Sequence, residues 1–303
     1  METASGTFRA GYVAIVGEPN VGKSTLLNAL LGQKISIVTN KPQTTRQRVL
    51  GILSSEDAQI IFLDTPGLLE PKYLLHETMI QSARSALADA DLVLLLTEIS
   101  RGTSLPEVVE EIVEKGAAGK TLFLLINKVD TVPREQVLPV IAHFAGEGKF
   151  REIFPISALK KENLEDLLRT VIREMPVHPP FYPPEIVSES PERFFVAELI
   201  REAIFEQFHE EIPYSTAVAI VEFKEREIGK TFINAEIVVE RSSQKGILIG
   251  AKGAALKKVG QSSRRSIERF LQRPVFLELH VKVREHWREN EGWLRKLGYS
   301  AGS

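Results

Sequence analysis

The string Gly17-Glu-Pro-Asn-Val-Gly22-Lys23-Ser24 has the spacing Gly-x-x-x-x-Gly-Lys-Ser, which chance produces in roughly one chain of this length in a hundred. Its chemistry follows from the residue types. Glycines let backbone N–H groups curl around a phosphate, and the helix that follows, near 24–31, points its positive end at the same place. Glu18, Pro19, Asn20, Val21, Gly22 and Thr25 form the rest of this cradle. Lys23 would reach the β- and γ-phosphates, and Ser24 would ligate Mg²⁺. Asp64-Thr65-Pro66-Gly67 comes next, placing a carboxylate beside the metal and a glycine N–H near the γ-phosphate. Asn127-Lys128-Val129-Asp130 follows. Asp130 can accept two hydrogen bonds from guanine, at N1–H and the exocyclic amine. Adenine lacks the N1 proton, and a site built around such a bond rejects the analogue without it. Ser157-Ala158 closes the set and can offer the Ala158 N–H to guanine O6. The nucleotide expected is GTP or GDP, with Mg²⁺.

These groups need a scaffold that presents several loops along one edge. Short apolar runs at 12–16, 60–63, 92–96, 121–126 and 153–156 alternate with helix-period segments at 24–31, 78–88, 105–114 and 164–172. Continuous apolar strands joined by helices predict an α/β unit, a mostly parallel sheet covered on both faces. Such sheets bind ligands at the carboxyl ends of their strands, where the motifs fall. Residues 46–53 and 58–64 read as an antiparallel hairpin at the sheet edge.

Six of the sixteen prolines fall between 176 and 191. That density blocks helix and sheet, so a stiff linker is expected there. The organisation predicted is therefore 1–175, a nucleotide-binding unit; 176–191, a linker; and 192–303, a small α+β unit. The last reads as a helix (193–208), strands at 216–223 and 231–240, a helical region (247–271) and a strand (275–283). Trp287 and Trp293 follow on an amphipathic stretch, with core packing the expected role.

Within the last unit, Ile247-Leu-Ile249-Gly250-Ala251-Lys252-Gly253 runs from apolar residues into Gly-x-x-Gly and then a helix carrying Lys257, Lys258, Arg264, Arg265 and Arg269. Glycines let the backbone approach sugar–phosphate closely, and the basic groups favour that anion. A second Gly-x-x-Gly at 116–119 lacks the apolar lead and reads as a plain turn. Net charge supports the distinction: the whole chain is −2, whereas residues 241–303 carry 14 Lys and Arg against 5 Asp and Glu. A basic end on a slightly acidic chain is a footprint for a polyanion. The absence of cysteine removes disulfides, thiol nucleophiles and Cys-ligated zinc. No apolar run approaches the ~20 residues of a membrane helix, and the start of the chain carries no signal-peptide pattern. A soluble cytoplasmic protein is the expectation.

The four nucleotide motifs, spanning residues 17–159 in order, resemble the translation-factor-related class of GTPases. By that resemblance Thr45, in Gln43-Thr44-Thr45-Arg46, is the switch threonine that contacts Mg²⁺ and the γ-phosphate, with Thr44 as its rival. Lys23, Thr45 and Gly67 are the catalytic candidates; Ser24, Thr45 and Asp64 are the metal candidates. Ras-like proteins place a water-orienting glutamine after the Asp-x-x-Gly motif. Here that position is Leu68, so slow intrinsic turnover is expected. Asn20 stands where similar potassium-stimulated GTPases carry asparagine, and K⁺ binding competes there with a purely turn-shaping role.

The loop at 250–253 resembles the KH motif, and helix–strand–strand before it resembles the KH type II order of ribosomal and assembly proteins. Ile249, Gly250, Ala251, Lys252, Gly253, Lys257, Arg264 and Arg265 are the RNA-binding candidates. Together the two units resemble the Era family of GTPases over nearly the whole chain. The resemblance implies binding of single-stranded RNA at the 3′ end of 16S rRNA in the GTP-loaded state. It further implies a role in 30S subunit assembly, and contact with the inner membrane surface. A monomer needs no special assumption. The alternative is a membrane-surface signalling GTPase whose basic end docks on anionic lipid.

Overall fold

The computed structural model describes residues 8–225 and 229–299. Its larger sheet has the order β2-β3-β1-β4-β5-β6. The strands are β1 (Arg9–Gly17), β2 (Val49–Ser54), β3 (Ala58–Asp64), β4 (Leu92–Glu98), β5 (Thr121–Asn127) and β6 (Glu152–Pro155). All neighbours are parallel except β2, which runs antiparallel to β3 with Val49 opposite Asp64. Alternate residues feed two cores, as the period of two requires. Ala14, Val16, Leu95 and Leu124 pack under α2 (Leu74–Asp89), α3 (Glu107–Gly116) and α4 (Val137–Glu147). Val13, Ile15, Leu94 and Phe123 pack under α1 (Lys23–Leu31) and α5 (Leu164–Glu174).

α4 is absent from the helices the pattern predicts. It buries only Val137, Val140 and Phe144, leaves Leu138 exposed and holds Pro139 in its first turn, so its period is faint.

Residues 176–191 are not a free tether. The Ala10 N–H donates to Pro176 O at 3.1 Å, and the Ile52 N–H donates to Val187 O at 2.7 Å. Between them, the buried Gln59 amide of β3 clasps the segment. Its Oε1 accepts from Phe181 N (2.7 Å) and Tyr182 N (2.9 Å), and its Nε2 donates to Tyr182 O (2.8 Å). The prolines make a strap across the sheet rather than a spacer.

The smaller sheet has the order β7-β8-β9, from Ala217–Lys224, Thr231–Val239 and Val275–Val283, with β7/β8 antiparallel and β8/β9 parallel. Helices α6 (Glu192–Gln207) and α9 (Ala254–Leu271) cover one face through Ile200, Ile204, Val259 and Ile267. Short helices α7 (Ile212–Ser215), α8 (Ser242–Ile249) and α10 (Glu291–Lys296) complete the unit. The apolar lead to the Gly-x-x-Gly at 250–253 is thus the end of α8. A fourth core joins the units: Leu75 and Met79 of α2 meet Ala217, Val238, Trp287, Leu294 and Tyr299. Trp287 is fully buried there, its Nε1–H donating to Ser215 O at 2.9 Å. Trp293 is half-buried between Arg284 and Lys296, whose charges lie 4.9 and 5.0 Å from its ring.

Candidate functional site

A cavity of about 550 Å³ opens at the carboxyl ends of β1, β3 and β5. It is lined by the 19–25 loop, the 37–45 segment, Gly67, Asn127 to Thr131 and Ser157 to Leu159, so one space collects the four motifs. Gly22 has φ +102, and a Cβ there would lie 2.3 Å from Asn127 Nδ2, so this turn admits only glycine. Asn20 also takes a left-handed φ of 66, and its amide donates to Asn40 O at 3.2 Å. Val21 is buried, and Pro19 packs against Gly67, where a Cβ would meet Pro19 N at 2.6 Å. Thr25 lines the cavity from the first turn of α1.

Lys23 is 6% exposed, and its ammonium donates to Gly17 O (3.0 Å) and Glu18 O (2.6 Å). Burial lowers its pKa to about 8 against the opposing pull of Asp64 and Glu18. Ser24 Oγ lies 2.8 Å from Thr45 Oγ1 and donates to Asp64 Oδ2, also at 2.8 Å. Asp64 is fully buried, and its Oδ1 has no hydrogen-bond partner among the described residues. Burial raises its pKa, opposed by Ser24, Lys23 and Ser36. Two hydroxyls converging beside an orphaned carboxylate oxygen form a set of hard donors that fits Mg²⁺. The two threonines diverge. Thr45 joins that set, while Thr44 Oγ1 turns away to Thr39 Oγ1 and Lys41 O, each at 2.7 Å.

At the base end, Asn127 Nδ2 donates to Val21 O at 2.7 Å, pinning β5 to the phosphate loop. Lys128, at φ 63, is ion-paired with Glu98. The Asp130 carboxylate lies 3.6 Å from Lys160, and the Ser157 hydroxyl, with Lys160 behind it, holds its pKa below the usual range. The Ala158 N–H, assigned above to guanine O6, donates to Asn127 Oδ1 at 3.0 Å. Leu68 is 1% exposed within the core under α2 and α3, and its N–H donates to Gly17 O at 3.0 Å.

The 250–253 loop lies between α8 and α9, far along the chain from this cavity. Gly250 (φ 71), Lys252 (φ 50) and Gly253 (φ 78) are all left-handed, and a Cβ on Gly250 would lie 2.7 Å from Ala255 Cβ. Ala251 and Lys252 are exposed, whereas Ile249 leans into the core. Lys257, Arg264 and Arg265 are exposed on α9. Arg264 shares its charge with Glu268 one turn on, at 2.9 Å. The copy at 116–119 is a turn from α3 into β5, with Gly119 at φ 75.

Sequence reasoning missed how the 34–46 segment is held. Lys34 Nζ pairs with Glu202 Oε2 at 2.6 Å, and Val38 N–H donates to Glu202 Oε1 at 3.0 Å. Lys41 reaches the carbonyls of Phe205 and Phe208, and Arg201 reaches that of Thr44. Arg46, 2% exposed, donates to Thr216 O (2.7 Å), Tyr214 O (3.0 Å) and Pro213 O (3.1 Å). The one signal in the sequence was Arg46, next to the threonine pair.

The parallel sheet with its phosphate loop, followed by a three-stranded unit with a Gly-x-x-Gly loop, defines a P-loop GTPase fused to a KH domain. Family models agree: residues 12–128 match that of a "50S ribosome-binding GTPase" and residues 211–288 that of the KH domain. The GTPase Era of Geobacter metallireducens is 48% identical over 296 residues, covering 97% of this chain and 98% of that one. Aquifex aeolicus Era bound to GDP·AlF4⁻ superimposes with a TM-score of 0.93 at 42% identity, covering 97% of this chain and all of its own (100%). An Era solved with MgGDPNP and nucleotides 1506–1542 of 16S ribosomal RNA gives the same score, 0.93, and identity, 42%, over 97% and 99% of the chains. The chain belongs to the Era family of GTPases.

Proposed function

We propose that this GTPase couples its nucleotide state to the capture of single-stranded RNA at the 3′ end of 16S rRNA, as a factor in 30S subunit assembly in the cytoplasm. The observation that carries the reading is the 34–46 segment. It places Thr45 beside the metal oxygens while Arg46 and Thr44 are bonded to the C-terminal unit. The solved relative holding both MgGDPNP and 16S rRNA supports it. We assign 1–175 to the GTPase domain, 176–191 to the strap and 192–303 to the KH domain.

In this reading Lys23 and the backbone of 18–24 bind the phosphates, and Asp130 reads guanine. Ser24, Thr45 and Asp64 would hold Mg²⁺, which when bound neutralises charge developing on the phosphate oxygens. Gly67 offers its N–H to the γ-phosphate. Leu68 brings no hydrogen-bonding group to an attacking water, so intrinsic turnover is slow. Asn20 is a candidate K⁺ ligand, and equal turnover in K⁺ and Na⁺ buffers would eliminate that role.

RNA lies along the 250–253 loop and the basic face of α9, where exposed Lys252, Lys257 and Arg265 meet phosphates. No helix among the described residues is long and apolar enough to cross a membrane. The lipid-docking alternative gains nothing from the geometry. The test is a fluorescence anisotropy titration of a labelled 16S rRNA 3′ tail at fixed salt, with protein loaded with non-hydrolysable GTP or with GDP. We expect at least about tenfold tighter binding in the GTP form, ~1.4 kcal/mol of coupling. Equal affinities would leave two modules without a switch.

A further inference from the structure

The oxygens around Asp64 include a hydroxyl that belongs to none of the nucleotide motifs. Ser36 is 3% exposed, and its Oγ–H donates to Asp64 Oδ2 at 2.8 Å. That oxygen also accepts from Ser24 Oγ at 2.8 Å, while Oδ1, buried as well, has no partner among the described residues. Ser36 is itself seated from α1. Asn28 Oδ1 accepts from Ile35 N (2.8 Å) and Ser36 N (2.9 Å), and Asn28 Nδ2 donates to Ser36 O (2.7 Å). Asn28 follows Ser24 by four residues, so one face of α1 carries both the metal-site hydroxyl and the amide that fixes Ser36. Two residues to either side, Lys34 and Val38 are bonded to Glu202 of α6. Ser36 is therefore held on three sides with its hydroxyl aimed at the metal-site carboxylate.

We propose that Ser36 is a positioning residue for the magnesium site. By occupying Oδ2 together with Ser24, it fixes the rotation of the Asp64 carboxylate and leaves the unpartnered Oδ1 for the metal or its waters. Outer-shell groups of this kind orient ligating carboxylates, and losing one weakens metal affinity by roughly ten- to a hundredfold. The inference rests on the reading of Asp64 as a magnesium-holding residue.

The test uses the full chain and measures release of a fluorescent GDP analogue across a MgCl2 titration, with an EDTA arm. In Ser36→Ala the Mg²⁺ concentration that half-slows release should rise about tenfold, while release in EDTA matches the parent. Ser36→Thr, which keeps the hydroxyl, should restore most of the shift. Asp64→Asn serves as the reference. If it leaves the Mg²⁺ dependence unchanged, the reading of Asp64 fails and the inference with it. If Asp64→Asn shifts the curve and Ser36→Ala does not, Ser36 alone is refuted. Equal defects in Ser36→Ala and Ser36→Thr would trace the effect to packing and overturn the proposal.

Discussion

Arg46 is where the coupling can be cut without touching the nucleotide. Its buried guanidinium holds three carbonyls of residues 213–216 and lies 5.9 Å from the Trp287 ring. A hydrogen bond from a charged donor contributes about 1.5–3 kcal/mol, and the three share one side chain, so they do not add. Removing the guanidinium leaves buried carbonyls of residues 213–216 without donors, at about 1–3 kcal/mol for each group left unsatisfied. Tenfold coupling needs only ~1.4 kcal/mol. The latch is worth more than the signal it carries, so Arg46→Met should abolish the signal rather than dilute it. In the anisotropy assay, GTP-form and GDP-form affinities for the rRNA tail should converge to within about twofold. Affinity for fluorescent GDP should stay near that of the parent, since Arg46 faces away from the cavity. A folded Arg46→Met protein that keeps the full nucleotide-dependent difference would refute the argument.

Four other outcomes follow from the same geometry. His76 is 3% exposed, and burial, with Arg46, Arg288 and Lys72 nearby, lowers its pKa from 6.5 to about 4. The unfolded chain therefore binds the extra proton between those values, and stability present above pH 6.5 is lost as pH falls toward 4, by up to roughly 3 kcal/mol; urea denaturation of His76→Leu should show a flatter profile in that window. Leu68→Gln should not speed single-turnover hydrolysis, because the side chain enters the core under α2 and α3, and it should cost about 1–3 kcal/mol of stability. Lys252→Ala should weaken RNA binding across sequences and reduce the salt slope by about one. Asp130→Asn should lower GTP affinity on the order of a hundredfold and raise that for xanthosine triphosphate, whose 2-oxo group accepts from the new amide; competition binding reads both.

What the sequence disclosed is what spacing can encode. Strand runs, the hairpin read at 46–64 and the two Gly-x-x-Gly turns depend on residues close together in the chain; they lie where the pattern places them, except that the hairpin's first strand begins at Val49 rather than Arg46. Contacts over long separations were silent. Ser36 meets Asp64 28 residues on, and Lys34 meets Glu202 168 residues on, with no periodic trace of either. Proline density predicted stiffness at 176–191 but not its docking. Gln59, a lone amide in the apolar strand β3, was the available hint, since a buried amide needs partners and here finds them in the strap.

The order Thr44-Thr45-Arg46 gives the physical reason why metal site and RNA domain should move together. Consecutive Cα atoms are held about 3.8 Å apart by planar peptides, which leave only φ and ψ to absorb a displacement. Thr45 Oγ1 lies 2.8 Å from Ser24 Oγ, while its neighbours on both sides are bonded to the C-terminal unit. Arg46 can turn little, being buried against the fourth core, where Trp287 and Tyr299 pack on α2. A shift of Thr45 toward or away from a γ-phosphate must then either break the Arg46 bonds or carry residues 213–216 with it. Breaking them would leave a buried guanidinium and its carbonyls unpaired, so carrying them is the cheaper path. The helix that follows the 250–253 loop packs on α6, which holds both Arg201 and Glu202. A displacement carried this way would reach the 250–253 loop through a packed core rather than through the strap.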